Sequence, residues 1–159
     1  MYHQLKEALK RLEGFNVRGY RSPALSLSVE LFKALGNLGL SYDSSLQIAS
    51  PFYHSVRLPY PVYLQEYGLW EMPLMIQDDN YLRDTNSSME DIFLSLKQFI
   101  HEIIQLNGVF VFNIHPHNIV TREHLYREIL EYLVSQDGEL ILKTMGDVFD
   151  YVQDHTDHQ

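Results

Sequence analysis

Apolar residues recur at helical spacing from the start of the chain. Tyr2, Leu5, Leu9 and Leu12 fall on one face and Gly14 follows as a stop, which predicts an amphipathic helix over 2–13. Phe15 to Arg21 then reads as a strand. Leu27, Leu31, Leu35 and Leu38 restore the helical period, with Ser26 as the expected N-cap and Gly39 as the terminator. Leu40 to Asp43 restarts an extended segment, and Ser44 to Tyr67, rich in Pro and Tyr and without period, is expected to be a long loop walling a site.

Gly68 to Gln77 (GLWEMPLMIQ) predicts a buried strand ending at Asp78-Asp79. Ser88 and Asp91 predict a capping box for a long helix marked by Ile92, Leu96, Phe99 and Ile103. Val109 to Ile114, preceded by Gly108, is a compact apolar strand. Thr121 is the expected cap of a helix carrying Leu125, Ile129 and Leu133; Gly138 ends the turn, Glu139 to Leu142 forms a last short strand, and a helix around Met145 to Val152 closes the chain. With no repeat, low-complexity segment or linker, residues 1–159 are expected to form one domain. The alternation predicts an α/β fold with a mainly parallel sheet, open or closed into part of a barrel.

Composition narrows the function classes. At 159 residues and 45% hydrophobic content the chain can bury a core, and its net charge of −9 without a basic run argues against nucleic acid and anionic membrane as partners. No apolar run approaches the ~20 residues that span a bilayer and the first residues do not resemble a signal peptide, so a cytoplasmic location is expected for the chain as written. The absence of cysteine excludes disulfides, cysteine-zinc sites and a cysteine nucleophile. There is no Gly-x-Gly-x-x-Gly, no Walker-type Gly-Lys-Ser/Thr and no Gly-x-Ser-x-Gly, so nucleotide binding and serine-hydrolase chemistry have no support.

The candidate chemistry sits at strand ends. His115, presented by the strand and followed by Pro116, is suited to act as a general acid or base, since an imidazole titrates near pH ~6.5. Its bland alternative is a loop histidine bonded to a backbone carbonyl. Arg21, between Tyr20 and Ser22-Pro23, offers a guanidinium fork for a carboxylate, and Asp78-Asp79 offers a carboxylate that could orient an imidazole. The competing readings are a surface arginine and a turn-forming acidic pair. His117 makes a His-x-His with His115, but two ligands do not make a zinc site, so no metal ligand is assigned.

Taken together, Gly19-Tyr-Arg-Ser-Pro23, Leu40-Ser-Tyr-Asp-Ser-Ser-Leu46, Gly68-Leu-Trp-Glu-Met-Pro73 with Asp78-Asp79, and Phe112-Asn-Ile-His-Pro116 resemble, in order and spacing, the polysaccharide deacetylase (NodB-homology) family. The resemblance implies a distorted (β/α) barrel that removes N- or O-acetyl groups from sugars with a divalent metal, usually zinc. It implies further that Arg21 orients the catalytic-base aspartate, that His115 protonates the departing amine and that Asp78 or Asp79 tunes His115. Trp70 resembles a position near the acetyl-binding pocket, and with Tyr20 and Pro23 it completes the expected substrate-binding residues.

The departures are equally specific. The family's first strand ending in paired aspartates, and its His-x-x-x-His pair, have no counterpart ahead of Arg21; His3 begins the helix that normally follows them. The expectation is therefore the C-terminal part of a deacetylase domain, a partial barrel lacking its N-terminal strands. Its metal ligands would lie upstream or on a complementing chain, its partner would be an acetylated amino sugar or polysaccharide, and it would be inactive alone, with an exposed sheet edge that favours assembly. The alternative is a non-catalytic carbohydrate-binding or interaction module, with Tyr53, Tyr60, Tyr63, Tyr67 and Trp70 as its stacking surface. An unrelated α/β domain is the third reading.

Overall fold

The computed structural model describes residues 2–48, 59–83, 88–136 and 138–156. They fall into two compact units, one made of residues 1–46, 61–73 and 143–159 and the other of residues 47–60 and 74–142.

In the first unit, helix α1 (Tyr2–Arg11) turns Leu5 and Leu9 onto a core of Leu31, Leu35, Leu40 and Leu69. Strands β1 (Gly19–Tyr20), β2 (Tyr42–Asp43), β3 (Val62–Leu64) and β4 (Leu69–Glu71) form one sheet in the order β1-β2-β4-β3. The pairs β1·β2 and β2·β4 are parallel and β3·β4 is antiparallel, so the predicted long loop contains an edge strand. The register aligns Tyr20 with Asp43 and Asp43 with Glu71. Three strands thus end in a row, with two carboxylates on adjacent strands.

The expected strand over Phe15 to Arg21 is only the Gly19–Tyr20 pair, and the expected N-cap shifts. Pro23–Leu25 forms a 3-10 turn with Ala24 and Leu25 at φ +53°, and the Ser26 N–H bonds to the Pro23 carbonyl. Helix α2 (Val29–Asn37) therefore starts after Ser28, whose hydroxyl accepts from the Leu31 N–H. Near its end Gly36 lets the Tyr67 carbonyl approach, where a Cβ would lie 2.2 Å from that oxygen. Helix α7 (Met145–His155) is opened by a Thr144–Asp147 capping box, and the Phe149 ring packs tilted against Tyr42, centroids 5.3 Å apart.

The second unit holds the remaining elements. The expected strand over Gly68 to Gln77 breaks at Pro73, which cannot donate to a ladder. Beyond it β5 (Ile76–Gln77) pairs in parallel with β6 (Phe112–Asn113), the regular core of the predicted Val109 to Ile114 strand. Asp78-Asp79 is no turn; it opens the short helix α3 (Asp78–Arg83). Helix α4 (Met89–Gln105) begins with the expected Ser88–Asp91 capping box and buries Ile92, Leu96, Ile100 and Ile103. These side chains pack against Leu125, Ile129 and Leu133 of helix α6 (Glu123–Ser135).

Thr121 does not cap α6. It ends helix α5 (Pro116–Thr121), and its hydroxyl bonds back to the His117 and Asn118 carbonyls, the local bond that competes with a cap. Leu140 packs on the core while Ile141 and Leu142 stay exposed, and no strand forms over Glu139 to Leu142.

Candidate functional site

The parallel pairing of β5 with β6 explains the strongest cluster. Gln77 and Asn113 are register partners, so both strands end at the same place, and Asp78, one residue on, meets His115, two residues on. His115 is extended, at φ −100° and ψ 131°, and precedes Pro116 at the first position of α5. Its backbone N–H donates to Asp78 Oδ2 at 2.8 Å, and its ring Nδ1 lies 2.5 Å from Asp78 Oδ1. The Tyr126 hydroxyl donates to Asp78 Oδ2 at 2.6 Å.

Asp78 is 1% exposed. Burial alone would raise its pKa, but the donors from the His115 backbone, Tyr126, the His115 ring and Asn118 outweigh it and hold the carboxyl below its usual range. The same contact, added to burial, pushes the Tyr126 phenol up. An ionised Asp78 at Nδ1 makes that nitrogen the protonated one, which leaves Nε2 as the working atom of His115.

Nε2 faces Asp79. It stands 3.6 Å from Asp79 Oδ2, while His117 Nε2 stands 3.2 Å from Asp79 Oδ1. Asn118 donates to Asp79 Oδ1 at 2.6 Å and receives Arg122 at its own oxygen. Asp78, Asp79 and His115 thus present ligand-type atoms within 4.8 Å of one another. The order of burial is graded: Asp78 is sealed, Asp79 and His115 are partly open, and His117 is 67% exposed at its side chain.

Arg21 belongs to a separate network in the first unit. Its Nε donates to the Ser44 carbonyl and a terminal nitrogen donates to Ser44 Oγ, both at 2.8 Å. Ser22 N–H donates to Ser45 Oγ at 2.8 Å, and Ser45 in turn donates through Oγ and N–H to Asp43 at 2.9 and 3.0 Å. Burial lowers the Arg21 pKa, opposed by the charges of Asp43 and Glu71. The guanidinium is therefore positioned by the β2 end, with the Asp43–Glu71 pair as its counter-charge.

Glu71 is 1% exposed, accepts from the Leu46 N–H at 3.0 Å through Oε1, and leaves Oε2 buried without a hydrogen-bond partner. Burial, then the charge of Asp43 on the adjacent strand, pushes its pKa to about 8. Burial also raises Asp43, against the hydrogen bonds from Ser45.

Of the other expected residues, Tyr20 and Pro23 flank Arg21 on β1 and the 3-10 turn. Trp70 is on β4, its ring tilted 45° against that of Tyr63 with centroids 5.3 Å apart. Tyr67 stacks on Phe32 of α2 at 5.6 Å, and Tyr53 lies outside the described residues. Sequence reasoning assigned no role to Asp43, Ser44, Glu71, Asn118 or Tyr126. Glu71 could have been found, since it shares the buried face of β4 with Leu69, where a carboxylate needs an explanation. Tyr126 could not, because it sits on the apolar face of α6 like any core aromatic.

No protein-family model matches the chain, and no curated protein sequence matches it. Among solved structures it is similar to one described as a "putative polysaccharide deacetylase from Mycobacterium smegmatis", at TM-score 0.67 and 19% identity over 93% of this chain and 53% of that chain. The likeness supports the fold: an α/β arrangement with mostly parallel strands among the described residues, consistent with a partial, unclosed (β/α) barrel. The chain spans about half the length of that structure. No helix among the described residues is long and apolar enough to cross a membrane.

Proposed function

We propose that this chain carries the general-acid part of a sugar deacetylase. In this reading His115 is the acid for hydrolysis of acetyl groups on an amino sugar or polysaccharide, while the metal ligands and the base are supplied by polypeptide other than these residues. The single observation that carries it is the Asp78–His115 pair, built at the joint edge of two parallel strands in a fold shared with a protein titled as a deacetylase.

The residues' part in the reaction follows from that pair. As the C–N bond of the tetrahedral intermediate breaks, His115 Nε2 hands its proton to the leaving nitrogen, which departs as the amine, and the ring is left neutral with Nδ1–H still donated to Asp78. Positioned acid catalysis of this kind contributes ~10²–10⁴-fold. In this reading Arg21, held by Ser44, is the arginine that would orient the base.

The resemblance also implies a divalent metal, and the donors present do not fit a catalytic one. Both Asp78 oxygens already take hydrogen bonds from His115 and Tyr126, and a proton-donating His115 needs its Nε2 free. The proton transfer from His115 therefore runs without a metal on these residues, and the chain by itself is expected to be inactive.

Acetate release from N-acetyl chitooligosaccharides, with and without zinc, tests this. The chain alone should release none. A longer polypeptide or complementing chain bearing the Asp-Asp and His-x-x-x-His motifs should release acetate, and His115→Ala in it should cut the rate by ~10²–10⁴-fold. Release unchanged by His115→Ala overturns the assignment. A second reading, a carbohydrate-binding module, is favoured by the adjoining rings of Tyr63 and Trp70, with Tyr63 50% exposed. Metal-independent binding of the same sugars, lost in Tyr63→Ala and without release in any assembly, would decide for it.

A further inference from the structure

We propose that helix α6 carries a self-association surface, on which a second copy of this chain docks antiparallel. Helix α6 already buries one apolar face, Leu125, Tyr126, Ile129 and Leu133, in the core of its own unit. The outward positions of such a helix are ordinarily polar. Here Leu130 and Val134, one turn apart, stand 55% and 67% exposed. With Ile119 of α5 and the ring of Tyr126 they line an open groove of about 580 Å³ along α5 and α6. An exposed apolar groove with a charged rim is the usual form of an interaction site.

Charge along the groove selects its occupant. The rim runs Glu123, Arg127, Glu131 at four-residue spacing. Arg127 reaches Glu123 of its own helix at 2.6 Å through one terminal nitrogen, whereas Glu131, exposed, has no ion pair among the described residues. In a second α6 laid antiparallel and crossing at Leu130, the two Leu130 side chains meet on a twofold axis and each Val134 enters the other copy's groove. A rise of ~1.5 Å per residue then sets Arg127 and Glu131 of the second copy about 3 Å apart along the helix axis, within reach of a guanidinium. The rim is thus complementary to itself, as an isologous contact requires. A wholly acidic or wholly basic partner would leave one sign of the rim unpaired.

A contact one helix wide falls at the small end of specific interfaces, below about 1,200 Å², so the dimer should depend on concentration. The groove also adjoins the site described above, because Tyr126, which lines it, holds Asp78 through its hydroxyl. The self-association itself stands on the groove and its charges and needs no sugar chemistry.

The test is sedimentation of the tag-free chain between about 1 µM and about 1 mM. The expected result is a mass that rises from 18.7 kDa towards twice that value. Leu130→Glu and Val134→Glu, both at exposed positions, should each weaken association at least ~10-fold with unchanged circular dichroism. Arg127→Glu should do the same, and adding Glu131→Arg to it should restore association, because the pair re-forms with its signs exchanged. Leu94→Glu, exposed on α4, should leave association unchanged. A chain that stays monomeric throughout overturns the proposal, including one whose groove takes up further polypeptide of the same fold instead. Association that Leu130→Glu leaves intact, or that the exchanged pair fails to restore, overturns it too. Because no substrate is present, these outcomes are independent of the acetate-release assay.

Discussion

Replacing Glu71 by Gln should remove a pH dependence that the first unit carries in its core. Glu71 keeps its proton to about pH 8 because burial, and then Asp43 on the adjacent strand, disfavour its charge. In the unfolded chain it titrates near its ordinary 4.5. Between those values the native state binds more protons than the unfolded state, so stability is full below about pH 4.5 and falls as pH rises to about 8. At ~1.4 kcal/mol per pH unit the interval corresponds to a ceiling on the order of 5 kcal/mol. Asp43, also raised by burial, acts in the same direction.

Glu71→Gln preserves the shape. Its amide oxygen can accept from the Leu46 N–H as Oε1 does, and its uncharged NH₂ takes the place of the protonated Oε2. The assay is urea unfolding from about pH 5 to about pH 9, followed by the fluorescence of Trp70, the chain's one tryptophan, which adjoins Glu71 on β4. Wild-type stability should decline by several kcal/mol over this range, the variant's profile should fall much less, keeping only the part owed to Asp43, and the two should cross so that the variant is the more stable at alkaline pH. An infrared band of a protonated carboxylic acid should disappear over the same range in the wild type only. Parallel profiles, or wild-type stability that rises with pH, would refute the reasoning.

Asp78, Asp91 and Asp147, all held low by hydrogen bonds, give stability that is present above about pH 4 and lost below it, so acid unfolding should be a separate transition. Leu96→Ala, at a side chain 1% exposed against α6, should cost ~2–5 kcal/mol in urea unfolding. Gly36→Ala should cost ~1–3 kcal/mol or prevent folding, because the new Cβ meets the Tyr67 carbonyl and backbone must move. Ser88→Ala, which removes half of the α4 capping box, should cost ~0.5–2 kcal/mol, whereas Asp150→Asn, at the partly exposed ion pair with Arg18, should stay within ~1 kcal/mol.

Local signals served where local physics decides. The Ser88–Asp91 box bonds within one turn, and α4 buries the apolar positions that its periodicity marks. They failed where a neighbour intervenes. Ser26 and Ser28 are equivalent as sequence, and the 3-10 turn at Pro23 selects Ser28. GLWEMPLMIQ reads as one apolar run, yet Pro73 divides it between two sheets, and only the pairing partners reveal the break. Glu139 to Leu142 carries a strand pattern but finds no strand partner among the described residues.

The sequence by itself determined which residues stand at strand ends, because the alternation of apolar strands and amphipathic helices is written in the order of side chains. Arg21, Asp78 and His115 were legible on that ground. Only the tertiary structure decided which groups they touch. Register is a property of two strands, so the meeting of Asp78 with His115, and of Asp43 with Glu71, depends on parallel pairing between segments far apart in the chain. The same pairing makes Asp78, not Asp79, the partner of His115 Nδ1, and leaves Asp79 facing Nε2 and His117.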